Sequence, residues 1–381
     1  MNALLNDDQI QFRDQLARWV ADRLAPRAEE LDRTGAFARD LFRELGELGY
    51  YGVMYPEAYG GVGYEQPYLY YTILCEELAR ASMGFAATVC MHGSTATHTI
   101  FKWGNEALRR KYLVPAIKGE MVGAFAITEP NAGSDAGSIT TRVRKVEGGY
   151  RITGAKVFTS NAIVADFITV AATSDPALGA RGIGLYLVDV KTPGFKAGRR
   201  LEKVTTHCSD TAELVFDDLF VPDECFLDGG DVKGMKAYES LTVDRIFTAA
   251  LALGNGQAAY DASVKYALER RQFGQQISKF QAVQFKLVDM LATLEQARLY
   301  TYNAACLADR GRPIIREAAM AKIVAADGCN DLCQKALNIF GGYGLMMEYP
   351  VQRYLRDSYF PMIGGGTSDI MRLIASRQSG F

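Results

Sequence analysis

The amino-acid sequence predicts an α+β protein in three parts: an all-helical N-terminal domain (1–120), a middle antiparallel, barrel-like β domain (121–231) and a C-terminal four-helix bundle (232–381). Three observations predict it. Helical periodicity dominates to about Lys118, short β-branched and aromatic runs replace it from Met121, and long periodic segments return after about Lys233. A chain of 381 residues is also longer than one hydrophobic core usually serves.

In the first part, "NDDQIQFRDQLARWVADRLAP" offers Asn6 and Asp7 as caps. Ile10, Phe12, Leu16, Val20 and Leu24 follow near helical spacing, and Pro26 is expected to stop the helix. "PEAYGGVG" is a glycine-rich loop, and "QPYLYYTILCEELARA" and "GNEALRRKYLVPAIKG" are further helices. In the second part, "GAFAIT", "RVRKVEGGYRIT", "GAKVFTS", "DFITVAATS", "GIGLYLVDV" and "AELVFDDLFVP" are separated by Gly-Gly, Asn-Ala-Gly and Asp-Pro turns, which predicts a sheet or small barrel. In the third part, three long periodic stretches begin near Met235, Lys279 and Arg316, and "TSDIMRLIASR" adds a fourth, the pattern of a bundle. Their apolar stripes serve either the core of one chain or a partner face.

Composition narrows the function. The formal net charge is −2, so no basic field marks a nucleic-acid binder. Seven cysteines lack any CxxC spacing, which is the habit of free thiols in a reducing compartment. Cys329 and Cys333 lie four apart, with no histidine near them to complete a zinc site. With only His92, His98 and His207 in the chain, no metal centre is expected. The N-terminal residues lack the pattern of a signal peptide, and no apolar run reaches membrane-helix length. The expected location is the cytoplasm.

Five motifs stand in order: "AITEPNAGSDAGS", "KVFTSNA", "ALERRQFGQQISKFQAVQ", "NIFGGYGLMMEYPVQRYLRD" and "PMIGGGTSDIMR". With the order α, β, bundle, they resemble the acyl-CoA dehydrogenase family of flavoproteins over nearly the whole chain, from about Asp7 to Arg377. The resemblance implies FAD as cofactor. It places Phe125, Ile127 and Thr128 along the flavin ring, Gly133 and Ser134 in the following loop with Ser134 on the pyrophosphate, and Phe158 and Ser160 over the ring. Arg270 matches an arginine that the family contributes from a neighbouring subunit to the pyrophosphate, where paired charge favours a guanidinium. Gln272, Phe273 and Gln281 adjoin it, and Asn338 stands where glutamine is more usual. Gly341 and Gly342 let the adenosine portion approach the backbone. Thr367 and Asp369 match flavin contacts, although Thr367 or Ser368 capping the last helix is a simpler role.

In this family a base removes a proton from carbon and a hydride leaves the next carbon for flavin N5. The thioester carbonyl is polarised by a backbone N–H of the catalytic loop and by a flavin hydroxyl. The base is usually a glutamate in that loop. Here the loop is Gly364-Gly365-Gly366-Thr367, so Gly365 keeps the N–H and carries no carboxylate. A minority of the family places the base on the first bundle helix, immediately before an arginine. That position is Asp244, followed by Arg245, at the same distance from Phe273. Asp244 is therefore the expected base, with a structural ion pair to Arg245 as its alternative role. Aspartate reaches one methylene less than glutamate, so the helix or the substrate must sit closer. Other relatives lack the usual base because they act deeper in the acyl pocket. "GFAATVCMHGSTATHT" should line its floor, with Met91 shortening it and His92 as a further titratable group. Met91, His92, Ser134, Asp244, Arg245, Gly364 and Gly365 are thus expected at the substrate. The resemblance implies a dehydrogenase of a short, branched or cyclic acyl thioester, carried by coenzyme A or an acyl-carrier protein. It also implies an electron-transfer flavoprotein as acceptor and a homotetramer. A catalytically idle flavin-binding scaffold is the alternative.

Overall fold

The computed structural model describes residues 4–227 and 235–381, so the expected boundary between residues 231 and 232 lies outside the described residues. The first helix, α1 (Asp7–Trp19), opens with a capping box. The Asn6 side chain accepts from the Gln9 N–H (2.9 Å), while the Gln9 side chain accepts from the Asn6 N–H (3.0 Å). Pro26 does not stop the helical path. The chain passes through a π turn (Val20–Leu24) and a short 3-10 turn containing Pro26, and stays helical to Thr34. A proline in the first turn of a new helical segment lacks only an N–H that would have no partner there. Gly35, at φ 65°, makes the actual stop.

Helix α2 (Pro67–Ala81) is almost wholly buried. Its first N–H groups, from Tyr68 and Leu69, are capped across the chain by the Asp309 carboxylate (2.8 and 3.0 Å). Helix α3 (Met83–Met91) starts on a Ser82 cap and runs without a break into a π turn, His92–Thr97.

The middle part is a seven-stranded sheet: β1 (Gly123–Ala126), β2 (Arg142–Val146), β3 (Gly149–Ser160), β4 (Phe167–Thr173), β5 (Ile183–Asp189), β6 (Phe195–Arg200) and β7 (Thr211–Pro222). The order is β1-β4-β2-β3-β7-β6, with β5 against β4. The sheet is not purely antiparallel, because β1 pairs β4 in parallel and β2 touches the end of β4 in parallel. Between β1 and β4 lie a long loop and the β2–β3 hairpin, which is connection enough for β4 to return in the same direction. The sheet has its own core, including Val143, Ile168, Phe216 and Leu219. A larger core joins the N-terminal helices to the C-terminal ones.

Helix α4 (Met235–Glu269) is the axis of the C-terminal part and packs on α2. Gly254 permits that contact: a Cβ there would lie 2.0 Å from the Glu76 carbonyl oxygen. Around α4 stand α5 (Gln281–Asp309), α6 (Ile315–Phe340) and α7 (Val351–Ser358), and α8 (Ser368–Ser379) packs on α6. No described helix is long and apolar enough to cross a membrane.

Candidate active site

Four segments distant in sequence meet at Asp244. Its side chain, on α4, is 1% exposed. The Ser94 hydroxyl, from the π turn after α3, donates to Asp244 Oδ1 at 2.6 Å. The other oxygen, Oδ2, faces the triple-glycine loop: a Cβ built on Gly365 would lie 3.0 Å from it. The fourth segment is α6, whose Lys322 donates to the carbonyls of Gly364 (2.5 Å) and Gly366. The helix thus sets the Asp244 carboxylate against the loop. Gly365 and Gly366 have φ of +67° and +100°, which a side chain would strain, and any side chain at Gly365 would fall on Asp244. Gly364 has an ordinary φ of −63°.

Burial raises the Asp244 pKa above the usual carboxylate range. The Ser94 and Thr248 hydrogen bonds and the charges of Lys322 and Arg245 oppose the rise without cancelling it. A buried carboxylate with raised basicity, set against the glycine loop with the Ser94 and Thr248 hydroxyls as its hydrogen-bond partners, is equipped to accept a proton. Arg245 is buried too; it forms no ion pair with Asp244 among the described residues, and its Nε has no hydrogen-bond partner.

His92 does not join this group. Gly123 N–H donates to its Nδ1 (3.0 Å), and its Nε2 lies 3.2 Å from the Ala116 carbonyl, so the ring bridges two backbone segments. Phe42 and Tyr51 pack edge-on against it. Neither nitrogen is left for a ligand, so His92 serves as a strut between backbone segments and has no free atom for a base's work. Met91 is half-buried and packs against the main core. Burial holds His92 down at about 4 and His98 at about 3, the latter helped by Lys102. Unfolding lets both rings take up protons near their ordinary pKa, so the unfolded state binds more protons below about pH 6.5. Stability should therefore fall from about pH 6.5 towards pH 4, by about 3 kcal/mol for His92 alone. In urea melts across this window, His92→Gln, whose amide can donate and accept, should lose less than the wild type. Superimposable curves would count against the assignment.

The residues expected along the flavin are organised by a buried pair. Lys156, on β3, donates to Glu129 Oε1 (2.8 Å) and to the Ile127 carbonyl (2.9 Å). Glu129 also accepts the N–H groups of Thr140 (2.6 Å) and Thr141 (2.9 Å). Burial alone would raise Glu129, but these hydrogen bonds outweigh it and hold the carboxyl at about 2. Burial lowers Lys156 to about 8, so both partners are charged at neutral pH. The Val157 N–H donates to the Thr128 carbonyl (2.9 Å), which joins β3, with Phe158 and Ser160, to β1 and the segment after it, with Phe125, Ile127 and Thr128. Phe158 sits at a bulge in β3, with φ of +56° and 66% exposure. A bare aromatic ring turned outward by a strained bulge fits a wall that covers a flat ring system. Gly133 and Ser134 lie exposed in the adjoining loop.

Arg270, Gln272, Gly341 and Gly342 line a groove of about 520 Å³ with Tyr266 and Tyr343. The guanidinium lies 5.3 Å from the Tyr343 ring centroid and pairs with no carboxylate among the described residues, which leaves it a free cation for an anionic group. Phe273, at the tip of the adjoining hairpin, is 93% exposed, and Gln281, shortly after it, and Asn338, shortly before Gly341, are exposed too. None of the β-sheet wall lines this groove. Thr367 caps α8, accepting from the Ile370 N–H (3.2 Å) and keeping its own hydroxyl hydrogen. Asp369 is exposed, 3.8 Å from Arg372. The described residues hold no cluster that could bind a metal, and all seven cysteines are unpaired.

Ser94, Lys322, Glu129 and Lys156 are absent from the sequence-based expectations. Lys322 had a signal: it falls on the buried stripe Ala318, Ala321, Ala325 and Cys329, where a charge needs a reason.

The families "Acyl-CoA dehydrogenase, N-terminal domain", "middle domain" and "C-terminal domain" match residues 6–120, 124–219 and 233–380. A benzylmalonyl-CoA dehydrogenase from Aromatoleum aromaticum is 42% identical over 98% of each chain. The structure of butyryl-CoA dehydrogenase from Megasphaera elsdenii is 38% identical and superposes with a TM-score of 0.95 over 98% of each chain. An FAD complex of PigA superposes with a TM-score of 0.94 at 27% identity, over 99% of this chain and 98% of that one. From the capped first helix to the Asp244 pocket, the chain belongs to the acyl-CoA dehydrogenase family, FAD-binding oxidoreductases that act on CH–CH bonds.

Proposed function

We propose that this protein desaturates a short, branched or cyclic acyl thioester of coenzyme A, with Asp244 as the base. One observation carries the reading: the Asp244 carboxylate stands where a side chain on Gly365 would otherwise project. Ser94 holds Oδ1, and Oδ2 takes the proton from the carbon beside the thioester carbonyl. The Gly365 N–H donates to that carbonyl as negative charge gathers on its oxygen. Bound FAD supplies the hydride acceptor. Ile127, Thr128, Phe158 and Ser160 hold its ring, Ser134 and Arg270 its pyrophosphate, and Gly341 and Gly342 admit its adenosine end.

The loop glycines leave room beside the substrate, which favours a branched or ring-bearing acyl group. The relative that acts on benzylmalonyl-CoA is consistent with such a group, and points to coenzyme A ahead of an acyl-carrier protein. Because the Arg270 groove excludes the β-sheet wall, the reading requires a second subunit to complete each flavin site. Helix α5 offers a face for it, with Phe285, Val288 and Leu299 exposed. The assembly is a homotetramer that passes electrons to an electron-transfer flavoprotein, and its free thiols suit a reducing cytoplasm.

The test is anaerobic titration of the yellow protein with butyryl-, isovaleryl-, cyclohexanecarboxyl- and benzylmalonyl-CoA. Bleaching by a branched or cyclic thioester, and reoxidation by electron-transfer flavoprotein, is the expected result. A flavin that no thioester reduces would identify an idle scaffold. Reduction by the straight chain alone would overturn the substrate class.

A further inference from the structure

Lys322 poses a problem that the base and the flavin wall do not solve. Its side chain lies in the core, 1% exposed, on the alanine-rich stripe of α6. Burying an ammonium is costly unless an anion pairs with it. No ion pair involves Lys322 among the described residues. Its hydrogen-bond partners are two carbonyls, those of Gly364 and Gly366. Burial pulls its pKa down to about 7, against the raising effect of the Asp244 charge. A hydrophobic residue of similar length would fill the same space without that cost, so the ammonium must be doing something that packing does not require.

What it holds is the geometry of Gly365. The carbonyl of Gly364 and the N–H of Gly365 belong to one peptide group. In a trans peptide these two bonds point in opposite directions, and the group is planar. Fixing the Gly364 oxygen therefore aims the Gly365 hydrogen away from Lys322. The Gly366 carbonyl fixes the chain on the other side of the same residue. Without such anchors three consecutive glycines are the most freely rotating backbone a protein can present, and Gly365 and Gly366 occupy left-handed φ values that carry no side chain to hold them. An ammonium bound to the carbonyl also polarises the amide, which strengthens the N–H as a donor.

We propose that Lys322 is a positioning residue for the reaction: it clamps the carbonyls flanking Gly365 and so aims and polarises the N–H that receives the thioester oxygen. This rests on the reading that the Gly365 N–H binds the thioester carbonyl. A side chain that merely filled the core would leave that donor unaffected.

The readout is the absorption band of bound cinnamoyl-CoA, an unsaturated aryl thioester whose spectrum moves to longer wavelength when its carbonyl is polarised. Wild type and Asp244→Asn should both shift the band, because polarisation does not need the base. Lys322→Met should keep its flavin and bind cinnamoyl-CoA with less than half of the wild-type shift, and Lys322→Arg should restore most of it. Turnover in Lys322→Met should fall about 10²-fold, the scale of one lost oxyanion donor, with a much smaller change in KM. If the Met variant does not fold, Lys322→Gln, which keeps an uncharged donor, should give an intermediate shift. A full wild-type shift in either the Met or the Gln variant overturns the role of Lys322 and leaves the site reading intact. Wild-type protein that binds cinnamoyl-CoA with no shift overturns the reading of Gly365, and this proposal with it.

Discussion

Replacing Asp244 by Asn should lower turnover by about 10²- to 10⁴-fold, the worth of a positioned general base, while flavin content and fold are kept. The substitution is nearly isosteric. Its amide oxygen can still accept from Ser94, and its NH₂ takes the place of Oδ2 against Gly365. Only the capacity to hold a proton is lost. The pH profile gives a second signature. Burial raises the Asp244 pKa, and the base must be ionised to act, so kcat/KM should fall on the acid side with an inflection above the usual carboxylate range. That inflection should vanish in the Asn variant. Anaerobic stopped-flow measurement of flavin reduction checks both. A variant within about tenfold of wild type would remove Asp244 from the mechanism, since a base contributes at least about 10².

Asp244 stood out through the family resemblance, because its distance from Phe273, with no insertion between them, matches the position where a minority of members carry the base. The long amphipathic segments were legible on their own, since periodicity is local information. What holds Asp244 and the loop in place was not. Ser94 reaches it from 150 residues away, and Lys322 reaches Gly364 across 42 residues. Each partner looks ordinary in its own neighbourhood, a serine among small polar residues and a lysine in a helix. Backbone partners are less visible still, because a carbonyl has no residue type to search for. His92 is such a case: its two partners are backbone groups of Ala116 and Gly123, so a titratable side chain serves as a strut. The parallel pairing of β1 with β4 was hidden for another reason. An apolar β-branched run signals a strand and says nothing of its direction.

Lys156 is where the same physics has its largest effect on stability. Replacing it by Met should destabilise the protein by about 3–5 kcal/mol, because Glu129 would stay buried with its charge uncompensated. The loss should not be confined to stability. Lys156 also holds the Ile127 carbonyl, and Glu129 gathers the N–H groups of Thr140 and Thr141 beyond the loop that carries Gly133 and Ser134. Slackening this knot should loosen the wall on which Thr128 and Phe158 stand, so the variant should lose flavin on gel filtration. Adding Glu129→Gln should recover part of the stability, since a neutral amide no longer needs a cation and its one oxygen can still accept from either Thr140 or Thr141. Urea unfolding of both single variants and the double variant forms a complete cycle, and the coupling between the two sites should be of the same sign and of order 1–3 kcal/mol. If Lys156→Met instead matched the wild type in urea, the pair would contribute nothing to the fold, and the order of the flavin wall would have to come from the β3 bulge and the Val157–Thr128 hydrogen bond alone.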